Sequence, residues 1–247
     1  MKREHAAERL EKKWFGKGFR AFAGGEQDPE LYAMFENWAF GEIASGAALT
    51  AEERVQVTLA VLAAQGCYSH MQMLLQAGLR LGMQAVTLRE VLYHCSPYIG
   101  FPRVMEALWH ANKEFEEAGI ALPLEPCGTA REETRREAGF AKHAEIFGEA
   151  PTQALRQAKG DRRNVSGYLA GTFGDIYCRE GLSVKNRELI TVCLLAALGC
   201  EPQLKAHLQG AMRVGVTREK IVEAWEQCLP WIGYPRTLNA FSCLEGL

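Results

Sequence analysis

No two of the eight cysteines form a C-x-x-C pair, and no Cys/His spacing resembles a zinc site. The dithiol and zinc frameworks that a high cysteine count would invite are therefore not expected, and most of these thiols read as reduced, buried small hydrophobes. Long apolar runs are missing too. The longest, 189–200 and 57–64, fall short of the about 18–20 residues that cross a bilayer. Met1-Lys-Arg-Glu-His5 leads into no apolar h-region, so no secretory signal is expected and a cytoplasmic protein is. An excess of charge of one sign is absent: the formal net charge is −2, which gives no electrostatic case for a nucleic-acid or anionic-membrane partner. No segment alternates as a strand does.

What is present is a helical pattern over 247 residues, enough for one large domain or two small ones. Residues 1–27 mix charge with Trp14, Phe15, Phe19 and Phe22 and read as a helical arm docking by its aromatics. A helix is predicted from Pro29 to about Ser45, with Leu31, Phe35, Trp38, Phe40 and Ile43 inward. Thr50 caps the next, with Glu52 and Glu53 in its first turn, where the helix dipole favours acids, and Gly66 ends it. A further helix runs from about Cys67 to Gly82. Thr87 and Glu90 read as a capping box, Pro97 and Gly100 as a break, and Pro102 as a helix start. Residues 118–131 hold two prolines and two glycines and read as a linker. An amphipathic helix is predicted from Thr134 to Phe147.

The chain then repeats itself. Shifted by 133 positions, residues 49–107 align with 182–240 without a gap, and about a third are identical. Arg54 meets Arg187, Thr58 meets Thr191, Gly66-Cys67 meets Gly199-Cys200, and Ile99-Gly-Phe-Pro-Arg103 meets Ile232-Gly-Tyr-Pro-Arg236. Upstream, Phe40-Gly-Glu-Ile43 meets Phe173-Gly-Asp-Ile176. Two copies of so long a period are a duplicated domain rather than a solenoid.

The chemistry concentrates in the second copy. Glu188 is the only carboxylate of the apolar helix beginning at Arg187; Cys200 follows it by twelve residues, and His207 follows Cys200 by seven. Glu188 has a plain reading as a first-turn acid facing water, yet its helix looks buried nearly all round, and a buried acid needs a partner. Its counterpart is Val55, and that of His207 is Leu74. One half carries both groups and the other neither, which suits a functional couple. Cys200 stands at a helix start, where a thiol is acidified, but Cys67 occupies the same place in the other half, which suits packing or capping. Seven helical residues span about 10 Å, so Cys200 and His207 meet only through a water or a substrate. Gln203 lies one turn from His207 and can hydrogen-bond. Arg187 and Arg236 match Arg54 and Arg103, which favours tying helix ends; a guanidinium is also the natural clamp for a substrate carboxylate.

These residues resemble the carboxymuconolactone decarboxylase family of the alkylhydroperoxidase-D-like superfamily. The resemblance is carried by Arg187-Glu188-Leu-Ile-Thr191, Leu204-Lys-Ala-His207-Leu-Gln-Gly-Ala211, Gly215-Val-Thr-Arg-Glu219, Gly233-Tyr-Pro-Arg236 and Phe173-Gly-Asp-Ile-Tyr177. It covers about 165–247 well and 33–115 less well. It implies an all-α fold of two tandem helical domains, 1–117 and 132–247, joined by 118–131. It also implies trimers or hexamers with the site between subunits or repeats. The peroxidase branch is similar in its Glu, first Cys and His, which fall on Glu188, Cys200 and His207, but its second Cys is Gln203 here. The decarboxylase branch requires only the Glu and His. The leading expectation is a cofactor-free acid–base enzyme of the decarboxylase type, acting on a small carboxylated lactone or related acid. His207 moves the proton, Glu188 orients it, Arg236 or Arg187 holds a carboxylate, and Cys200 lines the pocket. A thiol peroxidase using Cys200 and a non-catalytic binding or assembly protein stand as alternatives. Two fused units per chain predict a homotrimer, with the aromatic arm contributing to its contacts.

Overall fold

The computed structural model describes residues 2–16 and 25–245, and among these no strand occurs. The chain is all-α. Its first half comprises α1 (Arg3–Trp14), α2 (Pro29–Glu36), a π-helical turn (Asn37–Glu42), a 3-10 turn (Ile43–Ser45), α3 (Ala51–Gln65), α4 (Tyr68–Arg80), α5 (Ala85–Ile99) and α6 (Phe101–Glu117). Its second half comprises α7 (Arg135–Phe147), α8 (Glu149–Arg156), a 3-10 turn (Gly160–Arg162), α9 (Arg163–Thr172), a π-helical turn (Phe173–Tyr177), α10 (Val184–Leu198), α11 (Glu201–Arg213), α12 (Arg218–Ile232) and α13 (Tyr234–Leu244). Helices α3, α4 and α5 reappear residue for residue, 133 positions on, as α10, α11 and α12.

Local chemistry sets the boundaries. The Thr50 hydroxyl accepts from the Glu53 N–H while the Glu53 carboxylate accepts from the Thr50 N–H, which fixes the start of α3. Ser183 accepts from the Asn186 N–H at the start of α10. Both helices end on a left-handed glycine, Gly66 at φ 72° and Gly199 at φ 70°.

The duplication reaches further back than the aligned stretch. Helix α1 is the first-half counterpart of α7, with the offset shortened to 132. Arg3 pairs with Glu42 as Arg135 pairs with Asp175, and Gly16 repeats the positive φ of Gly148. Each helix lies so close to its π-turn that a Cβ on Gly41 would meet the Arg3 carbonyl at 2.3 Å, and one on Gly174 the Arg135 carbonyl at 1.9 Å. The glycine of the shared Phe-Gly-acid-Ile sequence is therefore a close-approach residue.

One hydrophobic core runs through both halves, because α3 packs on α10 and α12 while α10 packs on α5. Reciprocal ion pairs lock the exchange: Arg54 of α3 binds Glu223 of α12, and Arg187 of α10 binds Glu90 of α5 at 3.3 Å. No helix lies between Glu117 and Arg135. The Arg89 guanidinium donates to the Leu124 and Glu125 carbonyls there and pins the segment to α5.

Several expectations are corrected. The predicted 29–45 helix is three shorter elements, and Leu31, expected inward, is 61% exposed. Thr87 and Glu90 form no capping box: both lie inside α5, and Glu90 is buried on Arg187 and Arg179. Pro97 sits within α5, whose end comes at Gly100. Trp14 and Phe15 offer no docking surface. They are buried within this chain against Phe40, because α1 belongs to the repeat instead of projecting from it. Phe19 and Phe22 lie outside the described residues. No described helix is long and apolar enough to cross a membrane.

Candidate active site

Helices α10 and α11 bring Glu188 and His207 together. The Glu188 carboxylate is fully buried, and its Oε2 lies 2.9 Å from His207 Nδ1. The π-turn swings Tyr177 over the same carboxylate, and its hydroxyl donates to Oε1 at 2.9 Å. Behind Tyr177 stands Tyr98 of α5, with the two hydroxyls 2.5 Å apart. Thr191 donates to the Tyr98 hydroxyl at 3.1 Å and also approaches the Arg187 carbonyl at 2.9 Å. His94 Nε2 reaches Thr191 Oγ1 at 2.9 Å and the Arg187 carbonyl at 3.0 Å.

Proton counting orients this chain. A carbonyl accepts only, so His94 Nε2 carries a proton toward Arg187 O. Tyr177 donates to Glu188, so Tyr98 donates to Tyr177, and the single Thr191 proton is shared between the Tyr98 hydroxyl and the Arg187 carbonyl. Both tyrosine donors point at the carboxylate and stabilise its charge. An ionised Glu188 accepts only, so His207 holds its proton on Nδ1 and leaves the Nε2 lone pair free. Burial and the neighbouring Glu188 charge push both tyrosines well above the ordinary phenol range. They therefore act as neutral donors. Burial, and then the charge of Arg187, hold His94 well below the usual imidazole range.

His207 opens into a cavity of about 580 Å³. Leu195, Phe147, Phe173 and Leu169 give it apolar walls; Gln203, His143, Ser166, Tyr98, Tyr177 and Arg162 bring polar groups to it. Tyr98 and Pro97 belong to the first half, so that half helps to build the cavity. In the first half, Val55 stands for Glu188, Leu74 for His207 and Ala44 for Tyr177, while Trp231 of the second half is the counterpart of Tyr98.

The sequence-predicted residues divide accordingly. Glu188, His207 and Gln203 meet at the cavity. Cys200 stands at the N-cap position of α11 but its side chain makes no capping hydrogen bond; its thiol is directed at the Leu198 carbonyl, and it is not among the lining residues. Arg187 is fully buried in its ion pair with Glu90 and does not reach the cavity. Arg236 is exposed on α13, away from the lining. The arginine that does line the cavity is Arg162, at the N-terminus of α9. Tyr98, His94, His143 and Arg162 escaped sequence reasoning because no spacing links them to Glu188; Thr191, one turn along α10 from Glu188, was visible only as a repeated position. The Tyr177/Ala44 difference between the halves was the one legible signal. Among the described residues, no group of three or more His, Cys, Asp or Glu gathers as a metal site.

Comparison with known proteins agrees with this architecture. Residues 29–113 and 165–246 match the carboxymuconolactone decarboxylase family. The chain is 37% identical over 116 residues to the 4-carboxymuconolactone decarboxylase of Acinetobacter baylyi, covering 46% of this chain and 87% of that protein. It is 26% identical over 142 residues to peroxisomal protein 2 of Schizosaccharomyces pombe, covering 56% of this chain and 64% of the relative. Its fold is similar to a solved structure from Burkholderia xenovorans, described as a candidate gamma-carboxymuconolactone decarboxylase subunit. That match has a TM-score of 0.58 and 22% identity, over 97% of this chain and 95% of the other.

Proposed function

Because this chain belongs to the carboxymuconolactone decarboxylase family, we propose that it is an acid–base enzyme of the decarboxylase type, acting on a small carboxylated lactone or related acid. One observation carries the proposal: His207 is held on buried Glu188 through Nδ1 while the ring faces a cavity. Its free Nε2 takes up a proton from solvent; when the C–C bond to the departing carboxylate breaks and carbon dioxide leaves, the electron pair stays on carbon and takes that proton from Nε2. Glu188 holds the ring in the correct tautomer and stabilises the imidazolium until the proton is delivered. Tyr177 donates to Glu188 and is itself held by Tyr98, which fixes the carboxylate in place. Arg162 holds the substrate carboxylate, a role that suits it better than Arg187, which is spent on Glu90, or Arg236, which does not line the cavity.

A thiol peroxidase is less well supported. It asks for Cys200 in the cavity with a second thiol three residues on, where Gln203 stands. The deciding experiment incubates the protein with 4-carboxymuconolactone and with small carboxylic acids that also bear a hydroxyl, and follows carbon dioxide release. Turnover by the wild type and none by His207→Leu is the expected result; peroxide reduction without decarboxylation overturns the reading.

Self-assembly, as a homotrimer, belongs to the same proposal. Phe101, Met105 and Trp109 form an exposed apolar stripe along α6, and Tyr234 and Leu238 repeat it on α13. A stripe at i, i+4 and i+8 on a surface helix is a natural contact face. Its duplication suits a closed ring built from repeated units.

A further inference from the structure

The cavity holds a second imidazole that the proton-transfer scheme does not use. His143 of α7 is more than nine-tenths buried, yet its side chain lines the cavity beside Phe147 and Phe173. Its state follows from its neighbours. The Thr152 hydroxyl donates to the Gly148 carbonyl at 2.8 Å, so its lone pair must accept from His143 Nδ1, 2.7 Å away. The Nδ1–H tautomer is thereby fixed, and Nε2 is left as a lone-pair acceptor. Nε2 has no partner among the described residues, nor is it one of their buried unpartnered atoms, so it opens onto the cavity. Burial, reinforced by the charge on nearby His207, pushes His143 down to about 4, so it stays neutral when His207 is protonated.

We propose that His143 is a substrate-binding residue whose Nε2 accepts a hydrogen bond from a substrate hydroxyl, so that the cavity selects a hydroxyl-bearing carboxylic acid. The proposal rests on the acid-binding part of the reading above and deepens it. An ionised carboxylate offers no proton and would meet the Nε2 lone pair unfavourably, so the carboxylate lies toward Arg162 and the hydroxyl toward His143. A buried acceptor left without a donor penalises any acid that lacks the hydroxyl. His207 has no part in this contact, so the contact survives even if the chain performs no proton transfer.

The test is binding and needs no turnover. Isothermal titration of the full-length protein at neutral pH compares 3- and 4-hydroxybenzoate with benzoate, which is smaller, and with the corresponding methoxybenzoates, which are larger. The wild type is expected to bind at least one hydroxy acid about tenfold tighter than both controls, the size of one satisfied hydrogen bond. His143→Leu brings that ratio to about one. Thr152→Val keeps the ring but removes the partner of Nδ1. Nitrogen-15 spectra of the imidazoles should show Nδ1 protonated in the wild type and a tautomer mixture in Thr152→Val, whose ratio falls as well. Equal affinities in the wild type, a ratio that persists in His143→Leu, or no measurable binding of the hydroxy acids at millimolar concentration overturns the assignment. Failure of decarboxylation alone leaves it standing.

Discussion

The hydroxyls of Tyr98 and Tyr177, one from each half of the chain, meet 2.5 Å apart behind the carboxylate of Glu188. Tyr177 touches the carboxylate directly, whereas Tyr98 acts on it through Tyr177. Tyr177→Phe should therefore cost more than Tyr98→Phe. Losing a donor to a buried charge costs about 1–3 kcal/mol. Urea denaturation of the two variants measures the difference, and equal costs would deny the order of the chain.

Substitutions that copy the first half probe the Glu188–His207 couple. His207→Leu removes one of the two donors to a buried carboxylate and should destabilise by about 1–3 kcal/mol. Adding Glu188→Val should recover part of that loss, because Val55 and Leu74 pack apolar at the equivalent positions and an unpaired buried charge is worse than none. His207→Leu, Glu188→Val and the double variant should all be inactive, since the pair acts as a unit. Additive losses in thermal melts would contradict the coupling.

Acid should weaken the fold through His143. Unfolded, this histidine takes up its proton near pH 6.5; folded, burial delays the uptake to about pH 4. Between those values the unfolded state binds more protons, so stability falls as pH falls through that window and is fully present above it. The loss is at most about 3 kcal/mol. His94, also held low, adds to it. Glu11, raised to about 7 chiefly by burial, acts in the opposite sense, because its folded form binds the extra proton between pH 7 and 4.5. The difference between wild type and His143→Leu isolates one group. It should shift in favour of the variant as pH drops from 6.5 to 4 and be flat above 6.5.

Cys200→Ala should leave decarboxylation within about twofold of the wild type, since the thiol is not among the cavity-lining residues. A kcat loss of tenfold or more, accompanied by peroxide consumption in the wild type, would favour the peroxidase chemistry.

Light scattering should give a mass near three times 27.5 kDa. Replacing Met105 and Trp109 with lysine should reduce it toward the monomer without unfolding the chain, because both side chains are more than half exposed. A wild-type mass that stays monomeric at all concentrations refutes the fused-unit argument.

The sequence by itself determined the helices, their duplication and the partnership of Glu188 with His207. Helical period, glycine stops and caps are local properties, and a repeat 133 residues apart is visible wherever the two copies align. The acid and imidazole missing at Val55 and Leu74 marked the half that carries the Glu188–His207 pair, because one half served as control for the other. Tertiary structure alone decided the rest. Arg187 could read as a carboxylate clamp until α5 brought buried Glu90 against it. The aromatic arm could read as an oligomer contact until a one-residue change of offset, invisible to ungapped alignment, revealed α1 as the twin of α7. Tyr98 lies ninety positions from Glu188 and belongs to the other half, and His143 lies on a helix whose repeat register is shifted. Such residues meet only because apolar α3 and α10 bury their faces on each other and carry the helices of both halves into one core. Side chains brought together by burial leave no spacing in the sequence.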